Sequence, residues 1–225
     1  MNTTTERPLD QLARGVAAQV SRWGAAALEH GGGVQRSEAL GVLSLLRRLR
    51  LEDLGSHPQL WQAVETVVPE PLRGRGDEAS TAETAAFLAM SMYALAQQSR
   101  TDNAHANRSS GGVPLAVALG VLARSSTHSE AAMTRRFGAL LTAQSRGEAT
   151  RHLRSLVSLL RTARSDDGES RRLAARVDFG ELARDLHLLL RPETAPGVRL
   201  RWSREFTSVS VSSTPSGPTE PAPNA

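Results

Sequence analysis

One segment of the sequence is apolar on every side of a helix. Ser80, Thr81, Ala82 and Glu83 form a capping-box signature, which marks a helix start. The apolar side chains that follow, over residues 87–95, cover most directions of a helical wheel. A helix without a polar face is stable only when other helices enclose it. The sequence therefore predicts that residues 80–99 form the buried centre of a helical bundle.

The rest of the chain also has helical rather than alternating periodicity, and runs of β-branched residues are scarce. Proline, glycine and capping residues set the expected helix ends. We predict helices over residues 8–30, 37–49 with Ser37 as cap, 59–68, 80–99, 113–124, 127–141 with a capping box from Thr127 to Glu130, 148–164, 179–190 with Asp178 as cap, and a short one after Pro196. The predicted fold class is therefore all-α.

The loop over residues 69–79 is rich in proline, glycine and charge, which is typical of a hinge or a lobe boundary. We predict a two-lobed helical bundle, with an N-terminal lobe over 1–112 and a C-terminal lobe with a basic face over 113–206. Residues 207–225 are rich in serine, threonine and proline, and we expect them to form a disordered tail.

Several function classes are disfavoured by composition. The 225 residues include no cysteine, which excludes a disulfide framework, a thiol nucleophile and a cysteine metal site. The start of the chain lacks the apolar core of a signal peptide, and the apolar runs are shorter than the ~18–20 residues of a membrane span. We expect a soluble, cytoplasmic protein with no membrane contact.

No constellation of residues in the sequence predicts catalysis. The six histidines are scattered without metal-ligand spacing, and we assign no catalytic residue, metal site or cofactor. Asp166, Asp167 and Glu169 lie in one loop, so a metal-dependent nuclease remains a minor alternative. The default interpretation of these carboxylates is solvated turn residues.

The distribution of charge is more informative than its total. The net charge is +4, and all 27 basic residues are arginine, which a GC-rich genome explains. Residues 1–99 carry 9 arginines against 11 acids, whereas residues 100–176 carry 13 arginines against 6 acids. A basic central segment of this kind indicates a surface for a polyanion.

The predicted helix over 148–164 arranges arginines on one flank. At ~100° per residue, Arg151, Arg154 and Arg161 fall together beside an apolar stripe, and no acid shares their flank. Guanidinium groups pair well with phosphate oxygens. We therefore predict that this flank binds nucleic acid, although an ordinary solvated helix face is the alternative.

Two further pairs extend the predicted basic surface. In the preceding helix, Arg135 points outward and Arg136 lies at the margin. In the second helix, Arg47 and Arg48 lie opposite the leucines, whereas Arg50 is nearer the apolar side and is assigned a structural role. The predicted nucleic-acid-binding residues are Arg47, Arg48, Arg135, Arg136, Arg151, Arg154 and Arg161.

Three long segments resemble one family in the right order. They are FLAMSMYALAQQS (87–99), RRFGALLTAQSRGEATRHLRSLVSLLR (135–161) and VDFGELARDLHLLLRPETAPGVRLRWSREF (177–206), and EALGVLSLLRRLR (38–50) is also similar. Together they resemble the CasB family, the small helical subunit of the type I-E CRISPR surveillance complex, Cascade. The resemblance covers roughly residues 10–206. The chain departs from the family pattern in a longer 165–176 loop, fewer arginines in the helix that ends at Arg124, and an extra tail.

The resemblance implies an all-α, non-catalytic protein that takes part in antiviral defence. Its expected partners are other Cascade subunits, a second copy of itself, the guide RNA, and the target and displaced DNA strands. Its expected role is to stabilise the R-loop through backbone contacts. A purely helical protein–protein scaffold without direct nucleic-acid contact is the alternative function. We also predict that Trp202 is structural, because Val198 and Trp202 are four residues apart and can share a helical face.

Overall fold

The computed structural model describes residues 6–28, 33–125, 129–162 and 176–208. Helices dominate these residues, as predicted, and the β-type pairing within them consists of isolated bridges. The helices are α1 (Pro8–Leu28), α2 (Val34–Arg48), α3 (Pro58–Val67), α4 (Thr81–Ala96), α5 (Leu115–Arg124), α6 (Glu130–Leu141), α7 (Arg146–Thr162), α8 (Phe179–Leu189) and α9 (Ala195–Thr207). Short 3₁₀ turns lie at Leu51–Asp53, Glu70–Leu72 and Arg108–Ser110.

Helix α4 is the centre of the packing, and the predicted buried helix is confirmed. All but two of its sixteen residues are buried. The capping box is also confirmed, because Ser80 Oγ accepts a bond from Glu83 N at 3.1 Å and Glu83 accepts one from Ser80 N at 2.6 Å. The same carboxylate accepts a bond from Gly74 N at 3.0 Å, which compensates its burial.

Most helix boundaries agree with the predictions within three residues. Helix α2 differs because it begins at Val34, with Gly33 as its N-cap, so Ser37 lies inside the helix and does not cap it. Asp178 is confirmed as a cap, since its side chain accepts bonds from Gly180 N and Glu181 N, both at 3.0 Å. The predicted disordered tail lies outside the described residues from 209 onward, as do the predicted cap Thr127 and most of the 165–176 loop.

Helix α8 packs on α1 and α4, so elements from both ends of the sequence meet. The crossing of α1 and α8 is close at Gly180, where a Cβ atom would lie 2.4 Å from the carbonyl oxygen of Ala13. One contiguous set of buried residues extends through α1, α4 and α8. The division into lobes over 1–112 and 113–206 stays a prediction.

The segment before α8 is joined to the loop before α5 by two parallel bridges. Val177 pairs with His105 and with Val113. The buried His105 ring accepts a bond at Nδ1 from Phe179 N at 3.2 Å, and its Nε2 lies 3.1 Å from Asn107 Oδ1. Nδ1 also lies 3.2 Å from the carbonyl oxygen of Val177. A neutral ring with its proton on Nε2 satisfies the bonds to Phe179 and Asn107, whereas a proton on Nδ1 satisfies the bond to Val177.

We expect His105 to make the fold sensitive to mild acid. Burial, the largest cause, lowers the pKa of His105 below its usual 6.5, although Asp178 opposes the shift. Because the unfolded chain then binds protons at a higher pH than the folded chain, stability is full above about pH 6.5 and falls as the pH drops toward the folded pKa. Urea unfolding at pH 7.5 and 5.5 should show a smaller pH effect for His105→Gln than for the unmodified protein. Equal pH effects would contradict the assignment, since carboxylate contributions are common to both proteins.

Helix α9 packs on α5 and α8, and the predicted structural role of Trp202 agrees with its burial. Trp202 is 1% exposed and donates from Nε1 to the buried Asp185 at 2.6 Å. Arg201 also donates to Asp185. The buried carboxylate therefore has one positively charged partner, Arg201, and one neutral donor, Trp202. Arg124 of α5 donates to the carbonyl oxygen of Phe206 at 2.9 Å. Phe206 lies in the last turn of α9, where carbonyl oxygens lack a partner within the helix.

Candidate nucleic-acid interface

Helix α7 has the amphipathic form that its sequence predicts. Leu153, Leu156, Val157 and Leu160 are buried against the bundle. At its start, Glu148 accepts a bond from Gln144 N at 2.9 Å, and this bond is the main reason that the pKa of Glu148 is lowered. The buried stripe fixes the rotation of α7 against the bundle, and this determines where its polar side chains lie.

The arginines on that side differ in exposure. Arg151 is exposed, whereas Arg154 and Arg161 are half-buried. The helical wheel places all three on one flank correctly, but neighbouring elements cover parts of it. Toward the start of α7 the neighbour is the end of α2, and toward its end the neighbours are α5 and the end of α4.

Arg154 connects α7 to α2. Its guanidinium donates to the carbonyl oxygen of Arg47, which belongs to the last turn of α2. Helix ends leave such carbonyls without helical partners, so this bond satisfies one of them. Burial lowers the pKa of Arg154. The pKa of Arg47 is also lowered, mainly by burial and to a smaller degree by repulsion from Arg48.

Four arginines line one cleft between the end of α2, the Leu51–Asp53 turn and the first half of α7. The cleft has a volume of about 520 Å³, and α4 forms its floor. Arg48 and Arg50 come from the α2 side, while Arg151 and Arg154 come from α7. We call this the arginine cleft. Two predicted basic segments that are far apart in sequence therefore meet in space.

The exposed arginines of the cleft are electrostatically available. Within the described residues, no carboxylate forms a salt bridge with Arg48, Arg50 or Arg151. Two glutamates also line the cleft, and one of them, Glu148, is engaged in capping α7. The lining contains four arginines and only these two glutamates, and the excess of positive charge favours an anionic ligand.

Arg50 is a cleft residue that the helical wheel misplaced. The wheel extended α2 beyond its true end and assigned Arg50 a structural role. Because α2 ends at Arg48 and the chain then turns, Arg50 is exposed and faces the same cleft as Arg48. The three closely spaced arginines in RRLR indicate a local concentration of positive charge, but they do not indicate which side of the protein each arginine faces.

The remaining predicted arginines lie elsewhere. Arg135 and Arg136 are both exposed on α6 and do not line the cleft. Arg161 lines a small hollow beside Arg100 and Phe179, where its Nε is buried without a hydrogen-bond partner among the described residues. The structure thus brings together Arg48, Arg151 and Arg154 at the cleft, where Arg47 takes part through its backbone carbonyl, and leaves Arg135, Arg136 and Arg161 outside this group.

The described parts of the chain also bear on a metal site and on a membrane span. There, no group of three or more histidine or acidic side chains is placed to hold a metal ion. Asp166, Asp167 and Glu169 lie outside the described residues. None of the described helices combines the length and hydropathy of a membrane span.

The architecture matches solved CRISPR-associated proteins. The crystal structure of CasB from Thermobifida fusca superposes with a TM-score of 0.63 at 24% identity, covering 88% of this chain and 98% of that one. A CRISPR-associated protein of the Cse2 family from Thermus thermophilus has a TM-score of 0.56, with the same identity and the same coverage. These similarities establish the class of fold, which is the all-α fold that CasB and Cse2 proteins share.

The sequence identifies the family within that class. Residues 42–206 match the profile of CRISPR-associated protein Cse2, which is well over half of the chain. The chain therefore belongs to the Cse2 family, and the predicted resemblance to CasB is confirmed. A search of curated proteins found no significantly similar sequence.

Proposed function

We propose that the chain is a non-catalytic subunit of Cascade that binds the nucleic-acid backbone and stabilises the R-loop formed by guide RNA and target DNA. The observation that carries this proposal is the arginine cleft, where Arg48 and Arg151 from separate elements lie without described carboxylate partners. Membership of the Cse2 family supports the role within a CRISPR complex.

The chemistry of the cleft suits a role in which the guide supplies specificity. Guanidinium groups bind phosphate oxygens without distinguishing bases, so their contacts strengthen binding to every sequence alike. Exchange of a DNA duplex for a guide–target duplex is nearly balanced in free energy. A few backbone contacts per copy are therefore sufficient to shift the exchange toward the open R-loop.

The proposed partners are other Cascade subunits, a second copy of the chain, the guide RNA, and the target and displaced DNA strands. Exposed apolar side chains offer protein contacts away from the cleft. Val34 and Leu40 on α2 are 74% and 44% exposed, and Leu200 on α9 is 52% exposed. These side chains also favour the alternative function, a helical scaffold that holds other proteins without touching nucleic acid.

Charge reversal at the cleft tests the proposal. We expect the double variant Arg48→Glu and Arg151→Glu to weaken target-duplex binding by the reconstituted complex, on the order of tenfold per reversed charge, and to flatten the salt dependence by about two units of slope. Arg154 is left unchanged because it also holds the end of α2. Affinity is measured at two or more salt concentrations.

The matched control is Arg204→Glu, an exposed arginine on α9 outside the cleft lining. This variant should retain both affinity and salt slope. If the double variant assembles normally and binds with unchanged affinity and slope, the scaffold alternative replaces the proposal. The sequence preference of the complex should be the same for every variant.

A further inference from the structure

The floor of the arginine cleft contains a polar group without a partner. Ser91 lies in the middle of α4, is 1% exposed, and lines the cleft. Its Oγ forms no hydrogen bond with any described residue. A helical serine normally bonds to the carbonyl one turn earlier, and an unpaired buried hydroxyl is costly. Because this oxygen has almost no exposed surface, it can bond to a ligand in the cleft once the Ser91 side chain rotates toward that ligand.

The rest of the lining combines apolar walls with a cationic rim. Leu49, Leu51 and Leu88 contribute carbon surface, while Arg48 and Arg151 contribute the exposed charges. The volume of about 520 Å³ is in the range of pockets that enclose a small organic molecule. The cleft is therefore larger and more apolar than phosphate binding alone requires.

We propose that the arginine cleft holds one unpaired nucleotide of a single strand, with its base against the apolar walls and its phosphates at the rim. The base edge carries donors and acceptors that can bond to Ser91 Oγ. The flanking phosphates pair with Arg48 and Arg151. A base within a duplex is stacked and paired, so the cleft selects a base that is already unpaired or extruded.

A nucleotide satisfies these features better than an acidic peptide does. A carboxylate would pair with the rim arginines, but it would leave the apolar walls and the Ser91 hydroxyl unused. A nucleotide carries both a negative charge and a flat apolar surface, which correspond to the cationic rim and the apolar walls. The inference rests on the proposed function, because both require nucleic acid at this face.

The test compares a short single strand of thymidines with the same strand carrying abasic sites, using the full-length protein. Three variants that leave the charge unchanged are required. Gly147→Phe fills the mouth of the cleft, since Gly147 lines it and a Cβ there meets nothing within 4 Å. Gly138→Phe is the control, because Gly138 on α6 is equally open and does not line the cleft. Ser91→Ala removes only the hydroxyl.

We expect the unmodified protein to bind the intact strand at least about fivefold more tightly than the abasic strand, since a bound base contributes on this scale. Gly147→Phe should abolish this preference, Ser91→Ala should reduce it, and Gly138→Phe should retain it. Melting curves show whether each variant is folded, and Ser91→Ala, which removes an unpaired hydroxyl, should fold at least as well as the unmodified protein.

Two results would overturn the assignment and leave the proposed function standing. One is salt-dependent binding with equal affinity for intact and abasic strands. The other is a base preference that Gly147→Phe does not change. If Gly147→Phe instead prevents assembly with other subunits while the base preference persists, the cleft is a protein-docking site. Absence of salt-dependent binding to either strand would overturn the proposed function and this inference with it.

Discussion

Substitution Trp202→Ala should lower the free energy of unfolding by about 4 kcal/mol, and the melting temperature by roughly 10–15 °C. The indole is 1% exposed in the core between α9 and α8, so its removal leaves a cavity. It also leaves the buried carboxylate of Asp185 without the Nε1–H donor at 2.6 Å. Thermal and urea unfolding measure the effect.

Two companion variants separate the causes of the Trp202 effect. Trp202→Phe retains most of the apolar volume but not the hydrogen bond, so an intermediate loss is expected. Leu200→Ala, at a 52% exposed position on the same helix, should change stability by less than about 0.5 kcal/mol. Nucleic-acid affinity should be unchanged at temperatures where Trp202→Ala is folded. Intact stability with lost binding would instead assign the tryptophan to the nucleic-acid interface.

Substitution Gly180→Val should lower the free energy of unfolding by about 3 kcal/mol, nearly as much as Trp202→Ala. The cause is overcrowding of the core, whereas Trp202→Ala leaves a cavity. Here a side chain is added where a Cβ would lie 2.4 Å from the carbonyl oxygen of Ala13 and 2.9 Å from the Cβ of Ala17. The first of these is backbone and cannot rotate away, so α8 must move away from α1. Urea unfolding measures the loss, and circular dichroism checks that helix content is retained.

The control for Gly180→Val is Gly138→Ala, because a Cβ at Gly138 meets nothing within 4 Å. Removing a glycine from a helix with open space should raise stability by about 0.5–1 kcal/mol. If Gly180→Val is as stable as the unmodified protein, the close crossing of α1 and α8 is not a constraint on the fold.

Features governed by local sequence were predictable. The capping box at Ser80 and the cap at Asp178 depend on residues within three positions, and the burial of α4 follows from its lack of a polar face. The amphipathic form of α7 is likewise a property of its own residues. These predictions required no knowledge of what lies beside each helix.

Features that depend on neighbouring elements were not predictable. The half-burial of Arg154 results from the end of α2, which is more than a hundred residues earlier in the sequence. The position of Arg50 depends on a turn that begins one residue sooner than the leucine spacing indicates. In the sequence, Ser91 is one more small residue of a buried helix, and nothing local shows that its hydroxyl lacks a partner.

The contact between α1 and α8 has a consequence for synthesis of the chain. Ala13 and Gly180 touch across roughly 165 residues, so the first helix emerges from the ribosome long before its partner exists. Until then, the apolar side of α1 lacks a partner on which much of its burial depends. Contacts of such long sequence separation also slow folding, because chain closure must precede the gain from packing. A helical protein that would otherwise fold from local contacts therefore completes its core only after α8 has been made.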